Sequence, residues 1–143
     1  MKIVHLDKAT VLENIDSLMK IDRVIIDEEG NWTLNNFLKH LNQKWDYSFA
    51  YFIENQIVGF IVCSIRAGNP HIHRFAVLPE YQGKGIGRSL LNHICNLSSN
   101  NHLKYVTLQV KKLNFDAQRY YEHHGFERIG LIGQNYVYKK VIE

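Results

Sequence analysis

The chain has 143 residues, of which 45% are hydrophobic and 22% are charged, a balance that is ordinary for a globular protein with its own core. Seventeen Lys and Arg residues against fourteen Asp and Glu give a net charge of only +3, without a long basic block. This charge disfavours general nucleic-acid binding and is compatible with a small polyanionic ligand. We expect one domain that spans residues 1–143.

The sequence shows no pattern typical of export or membrane insertion. Its first residues, MKIVHLDKATVLENIDSL, include acidic side chains and helical spacing where a secretory signal needs an unbroken apolar run. No segment reaches the ~18 apolar residues of a membrane span. We therefore expect a cytoplasmic protein that does not bind membranes. Cys63 and Cys95 lie in apolar segments and are expected to be buried free thiols rather than a disulfide or a metal pair.

The first half of the chain predicts two strands that form a hairpin, preceded by a strand and two helices. KIVHL (2–6) is the first strand, and Thr10 is expected to cap the first helix. The apolar residues of that helix recur at one-faced spacing: Val11, Ile15, Leu18 and Met19. A second helix is predicted over 33–44. YSFAYFIE and IVGFIVCSIR are β-rich runs separated by Asn55 and Gln56, which predicts an antiparallel hairpin.

The second half predicts a βαβ unit followed by a helix and two strands. HIHRFAVLP (71–79) is an apolar-rich strand, residues 86–99 have helical spacing, and KYVTLQV (104–110) is the next strand. Because parallel strands need a crossover, these two strands should lie side by side. A helix over 114–124 is opened by Asn114 and closed by Gly125. FERIGLI and NYVYKKVI then predict a final antiparallel pair.

The stretch PEYQGKGIG (79–87) falls between the strand and the helix of the βαβ unit. A helix N-terminus has four unpaired N–H groups, which bind anions when the preceding loop lets a ligand approach. Gly83, Gly85 and Gly87 would remove obstructing side chains, and Lys84 and Arg88 add positive charge. The alternative is a tight strand-to-helix turn without a ligand. Neither a Walker loop nor a dinucleotide fingerprint matches the GxGxG spacing.

Two motifs resemble those of the GNAT (GCN5-related N-acetyltransferase) family. Residues 82–87, QGKGIG, are similar to the family's Q/R-x-x-G-x-G/A motif. The longer stretch AVLPEYQGKG, which leads into this motif, is similar to the pattern AVxPxYQGKG that is usual in the family. The segment LQVKKLNFDAQRYYEHHGF (108–126) is similar to a second family signature. It matches at Val110, Asn114, Ala117, Tyr121, Gly125 and Phe126. The two motifs occur in the expected order and cover about half of the chain.

This resemblance implies an α/β fold with a mixed sheet of about seven strands, parted parallel central strands and about four helices. It also implies acetyl-CoA as cosubstrate and no metal. In the family, backbone amides of the glycine loop hold the pyrophosphate, and the pantetheine arm runs along the preceding strand. The residues implied in coenzyme binding are Phe75, Ala76, Val77, Gln82, Gly83, Lys84, Gly85, Ile86, Gly87, Arg88, Ser89, Asn114 and Tyr121.

The resemblance also implies roles in catalysis. A backbone N–H near Val77 would polarise the thioester carbonyl, Tyr121 would protonate the coenzyme A sulfur, and Asn114 would position the pantetheine arm or a water molecule. The alternatives are that Tyr121 is a core aromatic residue and that Asn114 is only a helix cap.

The general base is less clear from the sequence. Some relatives have a Glu at the position of His73, and others have Glu or His at the position of Gln109. We expect His73 to be the base, since an imidazole can accept a proton at neutral pH. His71, two residues away on the same strand, is the second candidate. A structural role for these histidines, or proton loss directly to solvent, remains open.

The acceptor is expected to be a primary amine, either of a small molecule or of a protein N-terminus or lysine. Trp32, Tyr136 and Tyr138 are candidates for lining the acceptor site, although aromatic residues at such spacing are more often core. A coenzyme A-binding module without catalysis is the main alternative function, and a nucleotide-binding protein is the next. Exposed edge strands near the C-terminus make a homodimer plausible.

Overall fold

The computed structural model of the protein describes residues 2–26 and 29–142. The strands in these ranges are β1 Lys2–His5, β2 Phe49–Ile53, β3 Gln56–Arg66, β4 Asn69–Val77, β5 Tyr105–Lys111, β6 Glu127–Ile132 and β7 Asn135–Val141. The helices are α1 Lys8–Glu13, α2 Ile15–Asp22, α3 Leu34–Leu38, α4 Ile86–Asn100 and α5 Phe115–His123. A short 3-10 turn at Pro79–Tyr81 precedes the glycine loop.

The strands form one mixed sheet in the order β1-β2-β3-β4-β5-β7-β6. Neighbouring strands are antiparallel, with the exception of β4 and β5, which run parallel and are joined through α4. In the order of the sheet, β7 lies between β5 and β6. The predicted α/β class, seven-stranded sheet, βαβ unit and final antiparallel pair are confirmed.

The parallel pairing between β4 and β5 is short. The register joins only His71 with Thr107 and Ile72 with Leu108, although β4 continues to Val77. Beyond these two pairs the strands part, and the end of β4 is paired with β3 alone. Its other side presents backbone donors and acceptors, which suit an extended chain or ligand. The parted central strands expected from the family resemblance are therefore present.

The helices divide between the two faces of the sheet. Arg74 on β4 reaches Asp22 at the end of α2, whereas the next residue, Phe75, contacts Tyr121 on α5. Because successive strand residues point to opposite faces, α2 and α5 lie on opposite sides of the sheet. We name these sides the α2 face and the α5 face. A ligand between the parted strands can therefore meet side chains from both.

The first predicted helix starts earlier than expected and is interrupted. Asp7, and not Thr10, is the N-cap, because an Asp7 carboxylate oxygen accepts the Thr10 N–H at 2.9 Å. The helix breaks at Asn14, whose side chain donates to the Thr10 carbonyl at 2.9 Å. Such side chains compete with helical backbone bonds. The result is five helices where the sequence predicts four.

The prediction of a helix over 33–44 is wrong beyond Leu38. Helix α3 has five residues and begins with a capping box between Thr33 and Asn36. Lys44 is buried, and its Nζ donates to the carbonyls of Phe37 at 2.6 Å, Lys39 at 2.9 Å and Asn36 at 3.2 Å. Carbonyls at a helix end need such partners. Lys44 therefore binds the carbonyl groups at the end of α3, although the apolar spacing of residues 33–44 predicted that this helix would continue.

Other local predictions differ little from the structure. The first hairpin turns at 54–55 rather than at 55–56, because Gln56 already belongs to β3. Asn114 caps α5 by accepting an N–H bond, and Gly125 follows that helix with a φ of 90°, as predicted. These two residues fix the ends of the helix that carries Tyr121.

The cysteines are free thiols, as predicted, with Cys63 buried and Cys95 half-buried. No helix within residues 2–26 and 29–142 is long and apolar enough to cross a membrane. Over the same ranges, no three side chains of the types His, Cys, Asp and Glu group together in a way that suits a metal ion.

Candidate active site

The glycine loop connects the end of β4 to α4. Gly83 and Gly85 have φ values of 77° and 86°, a left-handed conformation that favours glycine. The N–H groups of residues 83–88 have no hydrogen-bond partner among the described residues. Because α4 is 15 residues long and its dipole adds to these donors, the loop is suited to bind an anion.

Two predicted side chains of this loop are bonded to the protein itself. The Gln82 amide donates to the Val77 carbonyl at 2.9 Å, and the Ser89 hydroxyl donates to the Gly85 carbonyl at 2.9 Å. The backbone N–H of Gln82 also donates within the preceding turn, at 3.2 Å. The row of unpaired amides therefore begins at Gly83 and not at Gln82. The side chains of Gln82 and Ser89 therefore help to hold the conformation of the loop through their hydrogen bonds to backbone carbonyls.

The charges at the loop come from Lys84 and Arg88. Both side chains are exposed, and the Lys84 Nζ lies 5.4 Å from the centre of the Tyr81 ring. Ile86 is instead part of the core, with 4% of its surface exposed. Ile86 can therefore offer a ligand only its backbone, whereas the two cations can move toward an anion.

Gly87 is required for a different reason from the two glycines before it. A Cβ atom at this position would lie 2.7 Å from the Tyr120 hydroxyl and 3.4 Å from the Phe75 ring. At Gly83 and Gly85 an added Cβ would meet nothing within 4 Å. Gly87 therefore lets α5 and the start of α4 approach closely, rather than only clearing a path for a ligand.

The strand predicted to bind the pantetheine arm lies at the start of the gap between β4 and β5. Phe75, Ala76 and Val77 follow the last parallel pair and remain bonded to β3 on their other side. Ala76 and Val77 are buried, and Phe75 is half-buried. These residues can therefore offer backbone groups along the unpaired edge.

Tyr121 projects from α5 toward this part of β4. Its ring centre lies 6.4 Å from that of Phe75 and 5.5 Å from that of Phe126. Its hydroxyl has no hydrogen-bond partner among the described residues. Burial, with smaller effects of Tyr120 and Cys63, raises the pKa of Tyr121 well above its ordinary value. The phenol therefore stays protonated at neutral pH and can donate a proton.

Asn114 lies at the first end of α5 and is exposed. Its side-chain oxygen accepts the Ala117 N–H at 3.1 Å, which is the capping role. The amide NH₂ has no partner among the described residues, so a ligand role is compatible with the cap.

His73 lies on the α2 face because of a β-bulge. The register pairs Val62 with Arg74 and Cys63 with Ile72, so that His73 is the extra residue of β4. A bulge of this kind turns two successive side chains to one side. His73 therefore shares the α2 face with Arg74, and the Phe75 side chain lies on the other.

Both candidate base residues are held by hydroxyl groups. The Nε2 atom of His73 lies 2.6 Å from the Ser64 hydroxyl, and the Nδ1 atom of His71 lies 2.7 Å from the Thr107 hydroxyl. The two imidazole rings are 5.0 Å apart. Ser64 and Thr107 belong to β3 and β5, so the four residues span three strands.

The histidines are neutral at physiological pH. Burial is the largest effect and lowers the pKa of His71 and of His73 to about 4. The charge of Arg66 lowers both values further, and Lys44 and Lys39 act on His73. A base with so low a pKa is always available to accept a proton, but it is weak.

The aromatic candidates for the acceptor site separate in the structure. Tyr138 is fully buried, and its hydroxyl donates to Glu122 on α5 at 2.6 Å, so it belongs to the core and not to an acceptor site. Tyr136 is half-buried, with the Arg128 guanidinium 3.7 Å from its ring centre. Trp32 is also half-buried and packs edge-on against Phe37.

Gln109 is exposed and accepts a hydrogen bond from the Asn135 amide at 3.1 Å.

Sequence reasoning missed three residues of this region. Asp22 pairs with Arg74 at 2.7 Å and also accepts the Trp32 N–H at 2.8 Å, which ties the segment after α2 to β4. The family motif falls on the neighbouring Tyr121, and no sequence signal distinguishes Tyr120. Ser64 lies in an otherwise apolar run of β3. A polar residue is uncommon in such a run, and this is the sequence signal that Ser64 has a buried hydrogen-bond partner.

The family model for acetyltransferases of the GNAT family matches residues 13–126. The chain belongs to the GNAT family. Its fold agrees with that of a GNAT N-acetyltransferase, PaiA from Thermoplasma acidophilum, solved in complex with coenzyme A. The TM-score is 0.74 at 19% identity, and 98% of each chain is covered.

Curated relatives of this GNAT protein act on different acceptors. It is 28% identical to an N-alpha-acetyltransferase of Saccharolobus solfataricus, over 85% of the chain and 79% of the relative. It is 26% identical to streptothricin acetyltransferase A of Bacillus subtilis, over 88% of the chain and 83% of the relative. The chain is therefore an N-acetyltransferase, and these names leave the class of acceptor open.

Proposed function

We propose that this N-acetyltransferase takes its acetyl group from acetyl-CoA and passes it to a protein N-terminal amine, by direct attack in a ternary complex. The observation that carries the proposal is the parting of β4 and β5 after Ile72. Unpaired amides follow at the end of β4, and Tyr121 lies beside the gap. A linear ligand with an anionic group at one end and a reactive group at the other fits this arrangement.

The coenzyme is proposed to be held mainly by backbone groups. The amides of residues 83–88 would bind its diphosphate, with Lys84 and Arg88 adding charge. The edge formed by Phe75, Ala76 and Val77 would bond the pantetheine arm as an additional strand. This arrangement needs few specific side chains, and it therefore depends on glycine at the loop.

The chemistry proposed for the site involves both faces. The amine nitrogen forms a bond to the thioester carbonyl carbon, while a backbone N–H near Val77 stabilises the charge on the oxygen. As the carbon–sulfur bond breaks, Tyr121 gives its proton to the thiolate. The proton that the amine nitrogen loses passes to water, and the Tyr121 phenolate takes a proton back from solvent, so that the phenol is restored for the next turnover. Asn114, with a free NH₂ group, would orient the pantetheine arm. The amine enters on the α2 face, where His71 and His73 lie.

The protein N-terminus is the preferred acceptor because several relatives of the chain are N-alpha-acetyltransferases. A small-molecule amine is the second candidate, which the similarity to the streptothricin enzyme favours. Lysine side chains belong to the same test, since they are also primary amines of a protein, although their pKa is higher than that of an N-terminal amine and no peptide carbonyl lies beside them.

Thiol release from acetyl-CoA tests this function. The acceptors should include hexapeptides with a free N-terminus, their N-terminally blocked forms with one lysine, and a set of small amines that contains streptothricin. We expect turnover with free N-terminal peptides. Coenzyme A binding, measured separately by calorimetry, distinguishes a silent binding module, which would bind without turnover on any amine.

A further inference from the structure

The contact between Ser64 and His73 joins two strands on the α2 face. The Ser64 hydroxyl lies 2.6 Å from the Nε2 atom of His73. Ser64 is 4% exposed, and its hydroxyl has no other hydrogen-bond partner among the described residues. A buried hydroxyl proton without an acceptor is costly, so the hydroxyl is expected to donate to Nε2.

The direction of this bond fixes the proton on the other ring nitrogen. A neutral imidazole carries one N–H and one acceptor nitrogen. If Nε2 accepts from Ser64, the proton must be on Nδ1. Within the described parts of the chain, Nδ1 of His73 has no hydrogen-bond partner, and the ring is half-buried. An N–H in this position calls for an acceptor oxygen from a ligand or water.

The surroundings of His73 keep this tautomer neutral. His71 contacts it on the same strand, and Arg66, Lys44 and Lys39 are the cations that act on it. Asp22, an acid at the end of α2 on this face, accepts hydrogen bonds from Arg74, Asn31 and Trp32. Positive neighbours disfavour an imidazolium ion, so proton transfer to His73 is opposed.

We propose that His73, fixed by Ser64 as the Nδ1–H tautomer, donates a hydrogen bond to a carbonyl oxygen of the acceptor and is not the general base. This inference rests on the proposed transfer to a protein N-terminus, where the first peptide carbonyl lies close to the reacting amine. The amine itself cannot be the partner, because its lone pair must be free to attack. A simple alkylamine lacks such an oxygen, and His73 thereby selects acceptors of the aminoacyl type.

The tautomer is tested by ¹⁵N NMR of the histidine rings. The chain has eight histidines, and the resonances of His73 are identified by their absence in His73→Asn. We expect an Nδ1–H signal in the wild type and in Ser64→Thr, and loss of this preference in Ser64→Ala. Ser98→Ala removes another buried hydroxyl, which donates to the Ile94 carbonyl, and should leave the His73 spectrum unchanged. An Nε2–H tautomer in the wild type would overturn the proposal.

The donor role is tested with two amide substitutions. In His73→Asn the amide NH₂ takes the place of Nδ1–H, whereas in His73→Gln it takes the place of Nε2. With a free N-terminal hexapeptide, His73→Asn should keep kcat/KM within about threefold, and His73→Gln should lose about tenfold, as for one hydrogen bond. A general base would be lost in both variants, and equal inactivity of the two would overturn the donor role.

The matched acceptor is the same hexapeptide with its first peptide carbonyl reduced to CH₂. The wild type should prefer the normal peptide by about tenfold, and His73→Gln should lose this preference. An unchanged preference in His73→Gln would count against the proposal. Absence of transfer to any peptide would instead overturn the proposed function, and the NMR spectrum would still decide whether His73 presents Nδ1–H.

Discussion

The proposed coenzyme side and the proposed acceptor side of this enzyme are built from different parts of the chain. The proposed coenzyme side consists mainly of backbone: six amides without a partner among the described residues, glycines with left-handed φ, and the edge of β4 beyond its pairing with β5. The acceptor side consists of buried polar pairs, among them Asp22 with Arg74 and Ser64 with His73. Backbone sites depend on conformation and tolerate changes of neighbouring side chains. Side-chain pairs are specific, and the loss of one member leaves the other in the interior.

The largest effect is expected from the acceptor side, at Asp22. Asp22→Asn removes the charged partner of Arg74 in a pair that is almost entirely buried, which typically costs about 3–5 kcal/mol of unfolding free energy. Urea denaturation measures it. Asp116→Asn is the matched control, since its pair with Arg119 is exposed and should contribute about 0–1 kcal/mol. Equal losses in the two variants would remove the contrast between the sides.

On the proposed coenzyme side, we propose that the chemical step depends on the phenol of Tyr121. Tyr121→Phe should lower kcat by about 100-fold, the lower range for loss of a general acid, because the thiolate would leave without a proton. The dissociation constant of coenzyme A, measured by calorimetry, should change little. Unaltered kcat in this variant would exclude Tyr121 from the chemistry.

The close approach at Gly87 predicts a smaller effect on binding. Gly87→Ala places a Cβ atom 2.7 Å from the Tyr120 hydroxyl, so the start of α4 or the ring must move. We expect coenzyme A to bind about tenfold more weakly, because the amides of the loop are displaced. Gly87→Ala combined with Tyr120→Phe removes the contact and should restore most of the affinity. If the double variant binds no better than the single one, the packing explanation fails.

The smallest effect concerns pH. Folding lowers the pKa of His71 and His73 from about 6.5 to about 4, so the unfolded state binds more protons between these values and stability decreases as the pH is lowered. Because solvent screens part of this shift, each histidine should lower the free energy of unfolding by about 1 kcal/mol between pH 6.5 and 5. Unfolding of His71→Gln/His73→Gln should show a shallower pH dependence over this window. His40→Gln, at an exposed histidine, should follow the wild type.

The sequence predicts the backbone conformation of the proposed coenzyme side well because its signals are local. Gly83 and Gly85 report a backbone conformation, and Asn114 and Gly125 mark the two ends of α5. The βαβ order also determines which strands are parallel. Each of these inferences depends on residues close together in the chain, and the structure agrees with the fold that they predict.

The proposed acceptor side could not be predicted in the same way, because the residues that contact one another there are far apart in sequence. Asp22 and Arg74 are separated by 52 residues, and Lys44 closes a helix that apolar spacing alone extends to 44. The β-bulge that turns His73 leaves no signature in a run of alternating residues. Tyr138 agrees with the expectation that an aromatic residue at such spacing is more often part of the core, because its side chain is fully buried.

The bulge makes His73 an extra residue of β4, which is paired with no residue of β3. Ile72 and Arg74 would still face their present partners, Cys63 and Val62, in a regular strand that lacked it. Loss of a single codon would therefore delete this imidazole while the register of Phe75, Ala76 and Val77 remained intact. A lineage can thus gain or lose the group proposed to contact the acceptor without rebuilding the strand proposed to bind the acyl donor.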